Sequence, residues 1–78
     1  MDRTAQLNFI AEVRKRIQQV EAEIIAQNET IAALERSDRD VREARAIRAQ
    51  LWVSQEVNLA EMERLLEEMD QAKGPPET

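Results

Sequence analysis

From Ile10 to Leu34 the chain repeats one spacing without a break. Ile10, Val13, Ile17, Val20, Ile24, Gln27, Ile31 and Leu34 stand alternately three and four residues apart, and seven of the eight are apolar. Alternation of three and four marks one face of a helix, and over more than three heptads it marks a coiled-coil seam. Ala11, Ile25 and Ala32 lie beside the seam and widen it. Asp2 or Thr4 can cap the start by accepting a bond from a free first-turn N–H. The spacing predicts a first helix over about 3–36.

The pattern then stops. Residues 35–40 read ERSDRD, six polar residues in a row. Ser37 or Asp38 is the expected N-cap of a new helix, with Asp40 in its first turn, where the positive end of the helix dipole favours acid. No glycine stands there to make the usual left-handed C-cap. The second half is helical again. Val41, Ala44, Ile47, Leu51, Asn58, Met62, Leu65 and Met69 trace one seam, and Trp52, Leu59 and Leu66 a second, one residue further on. A face that wide is suited to two neighbours. The expected second helix covers about 39–73. Gly74 then offers a C-cap, Pro75 and Pro76 stop the helix, and 74–78 forms a flexible tail.

Two all-α arrangements compete. One is a single rod of about 70 residues in an intermolecular coiled coil. Its seam would take in Asp38, Arg45 and Arg48, and a buried unpaired charge costs several kcal/mol. The other folds back at a turn about 37–38 and pairs residues whose numbers sum to about 75. Leu34 then meets Val41, Ile31 meets Ala44, Ile24 meets Leu51, Val13 meets Met62 and Ile10 meets Leu65. The same register sets Arg14, Lys15 and Arg16 beside Glu61 and Glu63, Glu12 near Arg64, and Glu29 near Arg45 and Arg48. Agreement between the apolar and the charged register favours the antiparallel hairpin, one unit over 1–73. Two helices enclose no interior, however, and the Trp52 seam would stay wet. Dimerisation into a four-helix bundle covers it, as would docking on another helical protein. The candidate interface is Trp52, Leu59, Leu66 and Ile25.

Composition narrows the chemistry. The 78 residues hold no cysteine and no histidine. That removes thiolate and imidazole metal sites, the cysteine nucleophile and the commonest general base. A ferritin-like di-iron site needs Glu-x-x-His, and the carboxylates Glu61, Glu63, Glu67, Glu68 and Asp70 read as a solvated acidic face. No cofactor is expected, and no enzyme. Arg36, Arg39, Arg42, Arg45 and Arg48 stand three apart, and the basic strip Arg39, Arg42, Arg45 and Arg48 offers a surface for phosphate or an acidic partner. Glu35, Asp38, Asp40 and Glu43 interleave with it, the spacing drifts about 60° per step around a helix, and the net charge is −5. These argue for a solvated turn and against nucleic acid. Gln27, Gln55 and Asn58 fall on or near the seams, where polar residues fix register or stand at an exposed edge. Trp52 suits either the centre of a homodimer or an anchor for another protein.

No apolar run approaches the roughly 18 residues that cross a bilayer. The start, MDRTAQLNFIAEV, lacks the apolar core of a signal peptide. No membrane partner and a cytoplasmic location are the expectations.

Certain words in the chain point further. Ile10-Ala11-Glu12, Ala32-Ala33-Leu34-Glu35-Arg36, Glu43-Ala44-Arg45 and Arg64-Leu65-Leu66-Glu67-Glu68-Met69 span most of both helices. In them the chain resembles a group of short two-helix hypothetical proteins of Bradyrhizobium-like alphaproteobacteria. That group often carries a Gly-His-Asp-like turn, where this chain has Arg36-Ser37-Asp38-Arg39, so the turn geometry differs. The resemblance implies a hairpin and a bacterial origin, and it transfers no site. The expected function is a non-enzymatic interaction or adaptor module that self-associates. The alternatives are a small co-chaperone holding a partner's amphipathic helix, and an RNA-binding bundle that uses the arginines.

Overall fold

The computed structural model describes residues 2–72 and is an antiparallel helical hairpin. Helix α1 spans Arg3–Arg36 and helix α2 spans Arg42–Ala72, and they pack along their length. The molecule measures 63 × 23 × 14 Å, a ribbon one helix thick. The proposed cap at Gly74 and the tail 74–78 lie outside the described residues.

Asp2, and not Thr4, caps α1. Its Oδ1 accepts the Ala5 N–H at 2.7 Å, and its carbonyl accepts the first helical bond, from the Gln6 N–H. From there the seam runs inward as the spacing predicts. Ile10, Val13, Ile24 and Ile31 are buried, Val13 completely, while Ile17, Val20, Gln27 and Leu34 are half-buried. Gln6, one step before Ile10, is buried as well and extends the row. The core cluster joins Ile10 and Val13 to Leu65, with Ile17, Met62 and Met69 packed against it. This is the fold-back register, since Val13–Met62 and Ile10–Leu65 are both members of it.

The inward row of α2 differs from the expected one. Preceded by Val41 in the turn, it consists of Ala44, Arg48, Leu51, Gln55, Asn58, Met62, Leu65 and Met69, all buried or half-buried. Ile47 is exposed instead. The reason is the period. Strict alternation of three and four passes through 48 and 55, and a row chosen for apolarity alone slips to Ile47 and skips Gln55. Arg48 tolerates the position because its stem lies along the seam and its head escapes; its Nη1 donates to Asn28 Oδ1 at 2.9 Å.

The turn is longer than two residues. Helix α2 begins at Arg42, so residues 37–41 make the connection. Ser37 N–H donates to the Ala33 carbonyl, Asp38 N–H to Glu35 and Arg39 N–H to Leu34. The last two bonds define a Schellman ending, in which the residue after the cap takes a left-handed conformation. Asp38 takes it, with φ 55°. Its short polar side chain makes it one of the few non-glycine residues suited to that region. Asp38 therefore closes α1, and neither it nor Ser37 caps α2. Val41 holds the N-cap position, its carbonyl accepting the first helical bond from the Arg45 N–H, and the side-chain acceptor comes from Asp40 just before it, which does not sit in the first turn. Its Oδ1 accepts the Arg42 N–H at 2.9 Å.

The left-handed Asp38 leads to a direct expectation. Asp38→Gly should raise stability by about 0.5–1 kcal/mol, after the extra freedom of glycine in the unfolded chain is subtracted. Asp38→Val should lower it, because a β-branched residue resists positive φ. Thermal melts followed by circular dichroism check both. A glycine variant no more stable than the parent would show that this turn carries no strain.

Candidate protein interface

Cross-helix bonds fix which sides of the two helices share a face. On one side Arg45 Nη2 reaches Glu35 Oε2 at 3.0 Å, and Arg48 reaches Asn28. On the other, Arg16 Nη2 reaches Glu61 Oε1 at 2.9 Å. In heptad terms the first side holds the residues that follow each d position, and in an antiparallel pair those rows lie on one face. On α1 this row is Leu7, Arg14, Glu21, Asn28 and Glu35. On α2 it is Arg45, Trp52, Leu59 and Leu66.

Three of the four candidate interface residues thus form a straight row along α2, seven residues apart. Ile25 belongs to the same face, on the outer shoulder of α1 between Glu21 and Asn28. All four are half open to solvent: Ile25 at 53%, Trp52 at 51%, Leu59 at 50% and Leu66 at 50%. Ala49 stands on the same face of α2, and between Arg48 and Glu61 the only charged residue is Glu56. The opposite face is more polar, although Phe9, Ile47 and Val57 are exposed there. Val53 is exposed on the outer back of α2. Neither Val53 nor Val57 stands out in the sequence. The signal for them is that low-charge stretch, AQLWVSQEVNLA, whose inward positions are partly polar.

Those inward polar residues are bonded. Gln55 Nε2 donates to the Ile17 carbonyl at 2.9 Å, and its Oε1 accepts from Asn58 Nδ2 at 3.4 Å. Gln27 Nε2 donates to the Ala44 carbonyl at 3.1 Å. Two side-chain amides thus grip the opposing backbone, one from each helix. Among the described residues no buried side-chain nitrogen or oxygen is left without a partner.

The arginines of the strip separate. Arg42 turns back onto Asp40, with Nη2 2.7 Å from Oδ2 and Nε 3.0 Å from the same oxygen. The Arg42 side chain, and then its backbone N–H, hold the Asp40 carboxyl below its ordinary value of 3.8, and the pairing raises Arg42. Arg45 is taken by Glu35 and Arg48 by Asn28. Arg39 lies exposed in the turn. Arg42 and Arg45 lie on one side of α2, each in an ion pair, while Arg48 is half-buried at the seam and Arg39 precedes the helix. Of the other expected ion pairs, Arg16–Glu61 is present. Arg64 bonds Glu68 on its own helix in place of Glu12, and Glu29 is not the partner of Arg45 or Arg48.

Among the described residues no group of three or more carboxylates gathers as a metal site would, and no helix is long and apolar enough to cross a membrane. Comparison with known proteins returns no matching family model, no matching curated protein and no matching solved structure.

Proposed function

We propose that this chain is a non-enzymatic helical interaction module of the cytoplasm that works by self-association through the face bearing Ile25, Trp52, Leu59 and Leu66. The observation that carries this reading is the row of three large apolar side chains, half exposed, on a ribbon 14 Å thick. Full burial of such a side chain from full exposure gains roughly 1.5–3 kcal/mol, of which about half remains for a partner to supply here.

Leu59→Glu tests the reading. In a two-fold dimer the change enters the interface twice, so the dissociation constant should rise by roughly two orders of magnitude or more. Light scattering after gel filtration should show the parent as a dimer and the variant as a monomer. Trp52 emission should shift to the red in the variant, since Trp52 shares the row. A parent chain that is monomeric at micromolar concentration, with red-shifted emission, would defeat self-association. The co-chaperone reading, in which the same row holds a partner's helix, would then take its place.

A further inference from the structure

We infer that the second copy docks α2 against α2′, antiparallel, about a two-fold axis beside Glu56. This rests on the self-association reading and specifies its geometry. The row Trp52, Leu59 and Leu66 lies directly beside the inward row Gln55, Met62 and Met69, so α2 carries a third row for a second neighbour. Helix α1 has no continuous counterpart, since its large apolar residues on this face are Leu7 and, on the outer shoulder, Ile25. Its row on this face is Arg14, Glu21, Asn28 and Glu35 after Leu7. Laying α2 on α1′ would set the apolar row against a row that is mostly charged or polar. Laying it on α2′ sets Trp52 and Leu59 on Leu59′ and Trp52′.

Within α2 the first turns are basic, with Arg42, Arg45 and Arg48 against Glu43, although Asp40 and Glu35 from outside the helix pair with Arg42 and Arg45. Its far end is acidic, with Glu61, Glu63, Glu67, Glu68 and Asp70 against Arg64. A parallel pair would match Arg42 with Arg42′ and Asp70 with Asp70′. The antiparallel pair brings Arg42 to Asp70′ and Arg45 between Glu63′ and Asp70′. In the same register Trp52 meets Leu59′, Leu59 meets Trp52′, Leu66 lies along the stem of Arg45′, and Ala49 meets Glu63′. Glu56 faces Glu56′ in either direction and so does not decide between them.

The chain has no cysteine, so single cysteines report the geometry cleanly. Oxidised Glu56→Cys should run as a linked dimer. Ala49→Cys alone and Glu63→Cys alone should not, because each lies roughly 21 Å from its own copy, at about 1.5 Å per residue. A mixture of the two should link. Linkage of Ala49→Cys to itself, as readily as Glu56→Cys, would mean a parallel pair and overturn the inference. So would a dimer by light scattering in which none of these positions link, since α2 would then face α1′. A monomeric mass for the parent chain would instead defeat the self-association reading beneath it. These results are distinguishable from one another.

Discussion

Leu65→Ala is expected to unfold the hairpin. Leu65 is buried and belongs to the small cluster that also holds Ile10 and Val13. Removing a buried leucine costs about 2–5 kcal/mol, the upper part of that range where the site does not collapse. A domain of this length has little in reserve, since small domains bury a modest fraction of their surface. Helices that lose their partner are marginal alone, because most helical stability comes from packing of an apolar face. Circular dichroism should therefore show helicity falling by half or more at 25 °C. Leu66→Ala, one position on and half exposed, should leave the helicity of a single hairpin nearly unchanged and weaken association. Equal loss of helicity in both variants would mean that the inward row is misassigned.

The second large effect concerns Gln27 and Gln55. Replacing both by leucine should raise the thermal midpoint, since apolar side chains replace polar ones at inward positions. It should also lower uniqueness. Each glutamine donates to a backbone carbonyl of the opposing helix, Ala44 for Gln27 and Ile17 for Gln55. Those bonds hold in one register only, and a one-heptad slip breaks both. Leucines gain as much in a slipped or intermolecular pairing, which is why single polar seam residues can specify partner and alignment. Spin labels at Lys15 and Glu63 should give one narrow distance in the parent and several in the double variant. One narrow distance in both would assign register to the apolar row alone.

The sequence made α1 readable because apolar character and helical period agree at nearly every step from Ile10 to Leu34. They part company in α2. Ile47 is apolar but lies off the period, while Arg48 and Gln55 are on the period but polar. The period prevails, because a straight helix presents positions to its neighbour by angle and leaves each side chain to adapt. Arg48 adapts by reaching Asn28, and Gln55 by bonding Ile17. The turn was legible as a polar break but not in its geometry. Nothing local distinguishes Asp38 as the left-handed residue from Asp40 as the one supplying the side-chain acceptor, and the difference depends on where Leu34 and Glu35 leave their carbonyls. The row Trp52, Leu59 and Leu66 was visible as a seven-residue repeat. Its shared face with Ile25 follows only from the cross-helix pairs Arg45–Glu35 and Arg16–Glu61.

The hairpin's connectivity bears on how it assembles in time. Near the turn, Leu34 and Val41 are seven positions apart in the chain, and at the far end Ile10 and Leu65 are separated by most of its length. Closing a loop costs more as it lengthens, but slowly, and each pair formed at the tip shortens the loop the next pair must close. Contacts this graded favour a rapid search. This connectivity favours closure from Asp38 outward like a zipper, with the Val13–Leu65 cluster sealing last. Changes in residues 37–41 should accordingly act on the rate of folding, and changes at Leu65 on the rate at which the finished hairpin comes apart.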